Sequence, residues 1–348
     1  MRHKPIFTRM GVDVGLSLVH RHQFLTAAAG SWLFEGIHDP IMEAASTVPF
    51  MEFDLPTRIG WFYGRNNSKD YEGEYLMNTG VKDFSRIGVI EKWRGSNRTP
   101  YGGACGNVAG HAGEFWSLKP EEDRVEFFAP DFCTSLVLPR QHNLNINGVD
   151  ALLFVSDHTL FDNGRNRFNT TCYCESPEDC LPMGALNASL CYKGAPAFLS
   201  SPHFYGADHF YSSKVDGLDP NPTDEYAFQL ALEPLTGMTL MVRAHVQFNL
   251  FVRRAPNILI NNNLPEDTVL PVFWTRQELS VPSEYLAMVK YAAALRYGVP
   301  YALGILIVIG AVLLCVAVFK SARNNIAASE SKQILEENSN FNYFPDKY

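Results

Sequence analysis

Basic residues are in deficit. The 348 residues carry 29 Lys and Arg against 37 Asp and Glu, a formal charge of −8, which argues against a nucleic-acid binder. The signatures G-x-S-x-G, H-E-x-x-H, G-x-x-x-x-G-K-[ST] and G-x-G-x-x-G are all missing. Serine-hydrolase, zincin, P-loop and dinucleotide chemistry lose their usual carriers with them. Ser201-Pro202-His203 and Asp208-His209 place nucleophile and base types close in sequence, but a triad is assembled by fold geometry rather than by neighbours. The chain reads as a non-enzyme without a cofactor. Zinc ligands come as C-x2-C pairs, and Cys172-Tyr173-Cys174 is C-x-C, so no metal is expected. The N-terminal region also lacks a long apolar run. The chain opens Met1-Arg2-His3-Lys4-Pro5, and its early apolar stretch is broken by Asp13, His20, Arg21 and His22. That is neither a signal-peptide core nor a membrane span.

One such run exists near the other end. Tyr297 to Phe319 is free of charge, with Arg296 before it and Lys320 after. At about 1.5 Å per helical residue it crosses a hydrocarbon core of about 30 Å. The chain therefore reads as a membrane protein. Six of its seven cysteines (Cys105, Cys133, Cys172, Cys174, Cys180, Cys191) precede that run, and Cys315 lies inside it. An even, clustered set points to disulfides and to a lumenal or extracellular domain, although six cysteines leave about fifteen pairings open. Sequons at Asn66, Asn97, Asn169 and Asn187 give weak support to the same side, while the one at Asn221 is blocked by Pro222. Lys290 and Arg296 balance Lys320, Arg323 and Lys332, so flanking charge adds little. Cysteine placement carries the topology, with the large domain outside and the tail in the cytosol.

The dominant periodicity is that of strands. From Thr239 to Arg253, Leu240, Val242, Ala244, Val246, Phe248, Leu250 and Val252 share one face. The segment from Tyr226 to Leu232 alternates too, and Pro234-Leu235-Thr236-Gly237 supplies a turn, which predicts an antiparallel hairpin. Shorter strands are expected at 86–93, 125–128 and 151–155. Strands as long as 239–253 suit a barrel or a strongly twisted sheet. Helix is expected within Leu16 to Phe34 and from Glu284 to Tyr297, leading into the span. Residues 320–348, rich in Asn, Ser and Glu, read as a disordered tail. The many Phe residues, including Phe204, Phe228 and Phe248, are assigned to core packing.

An ordered series of motifs resembles the CD36 (class B scavenger receptor) family. It comprises Leu33-Phe34-Glu35-Gly36 with Asp39-Pro40, then Phe127-Phe128-Ala129-Pro130-Asp131-Phe132-Cys133, then Cys172-Tyr173-Cys174 with Cys180, and Leu186-Asn187-Ala188-Ser189-Leu190-Cys191. Gly194-Ala195-Pro196, Ser201-Pro202-His203-Phe204-Tyr205, Asp216-Gly217-Leu218-Asp219-Pro220-Asn221 and Glu233-Pro234-Leu235-Thr236-Gly237 continue it. The likeness runs from about Leu25 through the span, and is nearest to invertebrate epithelial-membrane or lysosomal-membrane types.

The resemblance implies an α+β protein: an antiparallel β-barrel-rich ectodomain with a helical apex, and one C-terminal transmembrane helix. Residues 1–36 would be a remnant of the apex, 37–290 the disulfide-bonded ectodomain, 297–319 the transmembrane helix and 320–348 the cytoplasmic tail. It also implies the pairs Cys105–Cys172, Cys133–Cys191 and Cys174–Cys180, and a tunnel that passes lipid toward the bilayer. Basic residues of the apex contact anionic ligands in this family, which directs attention to His20, Arg21 and His22. Adjacent residues cannot share one helical face, so one or two of these at most could meet a common ligand. In the tail, Glu330-Ser331-Lys332-Gln333-Ile334-Leu335 resembles an acidic di-leucine sorting motif through Glu330, Ile334 and Leu335.

The expected function is a scavenger-type receptor at the plasma membrane or the endolysosomal membrane, which binds lipids or lipoproteins and delivers lipid to the bilayer. The alternative is a receptor for protein ligands, either phagocytic cargo or an escorted lysosomal hydrolase. Family members carry an N-terminal span that this chain lacks, together with the first apical helices. An incomplete gene model or a truncated isoform is expected on that ground.

Overall fold

A computed structural model describes residues 25–40, 58–65, 67–117, 123–164, 168–174, 179–219, 223–254 and 266–341, with single positions 10, 13, 14, 43, 176, 221, 258 and 259. The chain divides into two compact units, Met1–Pro282 and Ser283–Tyr348.

The first unit is organised by one strand. β11 (Thr239–Val252) pairs along most of its length with β12 (Thr268–Ser280), from Met241 opposite Ser280 to Val252 opposite Thr268. Its other edge is shared. β10 (Gln229–Leu232) takes the beginning, with Gln229 opposite Arg243, and β9 (Ala197–Ser200) takes the end, with Gln247 opposite Ser200. Beyond β10 the sheet continues through β7 (Val149–Val155) and β6 (Thr134–Ile146) to β5 (Arg124–Ala129), and β9 continues to β8 (Ala185–Asn187). All these pairs are antiparallel. A sheet that divides along one strand must bend away from it on both sides, and right-handed twist closes the bend further. The result is a curled half-barrel; the full barrel expected from the sequence is not closed among the described residues. Two small ladders stand apart, β1 (Ile37–His38) with β2 (Arg58–Ile59) and β3 (Tyr75–Met77) with β4 (Ile90–Trp93).

The anticipated hairpin is present. Glu233 is buried and caps the β10–β11 turn by accepting from the amide of Leu235 (2.9 Å) and the hydroxyl of Thr236 (2.6 Å). The strand expected at 125–128 is β5, that at 151–155 lies within β7, and that at 86–93 shortens to β4 behind a 3-10 turn at Phe84–Arg86. Two long strands were not anticipated, β6 and β12. Each contains a proline, and a proline cannot donate to a ladder. Pro139 sits opposite Arg124 where β5 begins, and Pro271 sits where the β11–β12 register shifts after Phe248. Pro271 thus occupies a place where the ladder is already irregular, and Pro139 stands at the last β5–β6 pair.

Side chains from both flanks of the sheet fill the interior. One cluster gathers Trp93, Phe128, Phe132, Phe161, Leu199 and Phe248, and another gathers Trp116, Leu138, Phe154, Leu230 and Leu232. Disulfides join Cys105 to Cys172, Cys133 to Cys191 and Cys174 to Cys180, and Cys315 is free.

In the second unit a single helix, Ser283–Phe341, contains the whole 297–319 run and is long and apolar enough to cross a membrane. Residues 320–341 were expected to be disordered and are helical instead. No Gly or Pro follows Gly310 before Phe341, while Ala327, Ala328, Lys332, Gln333, Leu335 and Glu336 are good helix formers. A helix already nucleated in the span extends through them at low cost.

Candidate functional site

Alternation along β11 decides what the half-barrel encloses. Val242, Ala244, Val246 and Phe248 turn to its concave side, where Phe62, Phe127 and Phe228 face them across a cavity of about 210 Å³. Arg65 and Asp131 also line it, paired with each other at 3.0 Å, and Arg65 reaches Glu72 at 3.0 Å as well. Burial works against the Arg65 charge, but attraction and hydrogen bonding from Asp131 outweigh it and hold the guanidinium above its ordinary value. It is a permanent cation whose charge is neutralised in place.

On the opposite side of β11 the polar His245, Gln247 and Asn249 are buried, which the alternation did not disclose. Asn249 donates to Phe198 O (3.1 Å) and Ser200 Oγ (3.0 Å), and Gln247 donates to Asn249 Oδ1 (2.8 Å) while accepting from the His203 amide (2.8 Å). Such a satisfied network fixes the β9–β11 register, since a slip would leave several buried groups unpaired. His203 in turn accepts from the Asp219 amide at 3.0 Å through Nδ1, and Asp208 caps a short helix (α1, His209–Ser212) by accepting from the Phe210 amide at 2.8 Å. These residues are committed to structure, and no nucleophile–base pair is formed from them. Among the described residues no group of three or more His, Cys, Asp or Glu could hold a metal ion.

His245, two residues along from Gln247, lies buried beside Trp274. Burial, with Arg276 adding to it, lowers its pKa from the ordinary 6.5, against a smaller pull from Glu225 and Glu278. A histidine that resists protonation when folded binds fewer protons than its unfolded counterpart. Stability is therefore full above the unfolded value near 6.5 and falls as pH drops from there through the lowered folded value. Melting temperatures at about pH 7.5 and about pH 5 should show a larger acid-induced drop in the native chain than in His245→Gln. An equal drop in both would remove His245 from the account.

The other anticipated positions are scattered. His20, Arg21, His22 and Asn66 lie outside the described residues, as does the side chain of Asn169. Asn97 stands exposed in the turn after β4. Asn187 is half-buried in β8, its Oδ1 accepting from the amide of Ser189 (3.0 Å). Glu330, Ile334 and Leu335 are exposed on the long helix. The aromatic pair Trp61 and Phe62, both packed edge-on against Phe248, was not singled out from the sequence. Its signal was available in Gly60-Trp61-Phe62-Tyr63-Gly64, three rings bracketed by glycines.

Comparison with known proteins bears on this arrangement. The family model for the CD36 family matches residues 1–321. Protein peste of Drosophila melanogaster is 30% identical over 284 residues, which is 81% of this chain and 50% of the relative. Scavenger receptor class B member 1 of Mus musculus is 30% identical over 280 residues, 80% of this chain and 53% of the relative. Sensory neuron membrane protein 2 of Anopheles gambiae is 28% identical over 253 residues, covering 68% and 43%. The chain spans about half the length of the curated relatives it matches. A match over residues 1–321 that takes in the motif series, the cysteines and the apolar helix leaves one assignment: this chain belongs to the CD36 family, a family of membrane proteins.

Proposed function

We propose that the chain forms part of a scavenger-type membrane receptor that takes lipid, free or from lipoprotein, into its concave face and passes it toward the bilayer. The observation that carries the reading is the cavity of about 210 Å³ behind β11, where Val242, Ala244, Val246, Phe62, Phe127 and Phe228 present apolar surface. Moving apolar ligand surface out of water contributes about 25 cal/mol per Å², enough to drive capture without a charged partner. The name of the mouse relative supports the receptor class. On this reading the first unit faces the lumen or the outside, and the protein works at the plasma membrane or the endolysosomal membrane.

Uptake of a fluorescent lipid by cells that display the full-length form tests the proposal. Ala244→Phe and Val246→Trp fill the cavity from the strand, and either should lower uptake severalfold at equal surface abundance. Unchanged uptake in both variants would reject the cavity as the lipid site. Co-purification of a lysosomal hydrolase from cells whose lipid uptake never rose would favour the escort alternative.

A further inference from the structure

The concave side of β11 borders two cavities rather than one. The second, about 340 Å³, lies at the Leu250 end and is walled by Trp32, Trp61, Tyr63, Tyr192 and Ala197. The first lies at the Val242 end, and the two share no lining residue. Four rings stand where they approach each other. Phe248 and Phe273 face one another across the β11–β12 ladder and stack with centroids 4.8 Å apart. Trp61 and Phe62 meet both of them edge-on at 5.4 to 5.8 Å. Trp61 lines the second cavity, and Phe62 and Phe248 line the first.

We propose that these rings form a partition between two lipid chambers in series, and that Phe62 selects thin acyl chains over fused-ring sterols for passage. The partition rests on the lipid reading above and adds a second chamber to it.

The two halves of the partition differ in freedom. Phe248 and Phe273 are set by strand register, so their positions follow the sheet. Trp61 and Phe62 sit on a turn whose main chain is held, since the Trp61 amide donates to Trp32 O (3.1 Å) and the Phe62 amide donates to Leu33 O (2.7 Å). What remains free is side-chain rotation. Swinging Phe62 alone breaks its edge contacts to Phe248 and Phe273 and opens a slot about one ring thick. A saturated chain is about as thick as an aromatic ring and fits such a slot. A sterol is broader and requires Trp61 to leave as well, which also breaks the Trp61 contact to Tyr192 at 6.1 Å. The second chamber suits the head of an acyl anion. Arg58 and Lys193 line it, and Tyr192 stays neutral because burial first, and Asp131 second, push its phenol well above the ordinary value.

Initial uptake rates of a fluorescent fatty acid and a fluorescent sterol, each normalised to surface abundance, test this in cells displaying the full-length form. Phe62→Ala should raise sterol uptake at least about fivefold and acyl uptake less than about twofold, while Phe62→Trp should slow both. Phe62→Leu, which keeps bulk without a ring, should fall between native and Phe62→Ala. A sterol-to-acyl ratio unchanged in Phe62→Ala and Phe62→Leu would overturn the partition, as would loss of surface display in all three variants, which would assign Phe62 to folding. A native protein that moves neither lipid would overturn the lipid reading and the partition with it.

Discussion

Replacing Gly237 with alanine is expected to destabilise the β-rich unit by more than about 3 kcal/mol, a loss in the range that requires a specific structural cause. Gly237 closes the β10–β11 turn at φ +68°, where a side chain is already unfavourable. A Cβ at this position would stand 1.7 Å from Trp116 O and 2.7 Å from its carbonyl carbon, and both are backbone atoms. Relief would have to come from moving Trp116. That residue is 1% exposed, stacks on His111 at 4.8 Å, and donates from Nε1 to Thr239 Oγ1 at 3.0 Å, just past the same turn. Turn and tryptophan therefore brace each other, and neither can yield alone. Urea unfolding of the purified chain would measure the effect. A Gly237→Ala midpoint indistinguishable from the native one would mean that the turn is not held against Trp116.

The same turn shows what the sequence discloses and what it withholds. Alternation over 239–253 and the Pro234–Gly237 turn were enough to place β11 and its hairpin partner, because a period of two is fixed by backbone geometry alone. Burial on the second face of β11 was not accessible that way. Gln247 and Asn249 look like solvent residues until Ser200 and the carbonyl of Phe198, some fifty positions earlier, arrive to satisfy them. β6 was hidden by Pro139 although Asn147-Gly148, at φ 50° and 84°, marks the hairpin that follows it. β12 was hidden by Pro271 in the same manner. The aromatic partition depends on bringing a glycine-bracketed turn onto the middle of a sheet. Nothing local to Trp61 or Phe62 requires that meeting.

The tail failed for a different reason. Its low apolar content removes any reason for it to pack, which by itself predicts disorder. Helix needs no packing when it continues a helix already formed and no Gly or Pro stands in the continuation. The cysteines lie between these extremes. Number and clustering indicated disulfides, but only a family likeness narrowed the pairing, because spacing along the chain does not report distance across a fold.

Removing the Cys133–Cys191 bridge is expected to cost more than removing Cys174–Cys180, and to weaken both cavities at once. The first bridge spans 58 residues and the second 6. Loop-closure entropy alone gives about 4 kcal/mol for the longer loop and about 2 kcal/mol for the shorter. Position widens the gap. Cys133 follows Pro130, Asp131 and Phe132, which line the first cavity, while Cys191 lines the second together with Tyr192. One covalent link thus holds the Arg65–Asp131 pair on one side and the Tyr192 wall on the other. The double variant Cys133→Ser, Cys191→Ser should unfold at a markedly lower urea concentration than Cys174→Ser, Cys180→Ser, and should lose fluorescent-lipid uptake at a temperature where the latter keeps it. If the short-loop variant proved the weaker of the two, chain entropy would not be the main contribution of these bridges. If the long-loop variant kept full uptake despite lower stability, the cavities would be shaped by the sheet alone, with the Cys133–Cys191 link adding only stability.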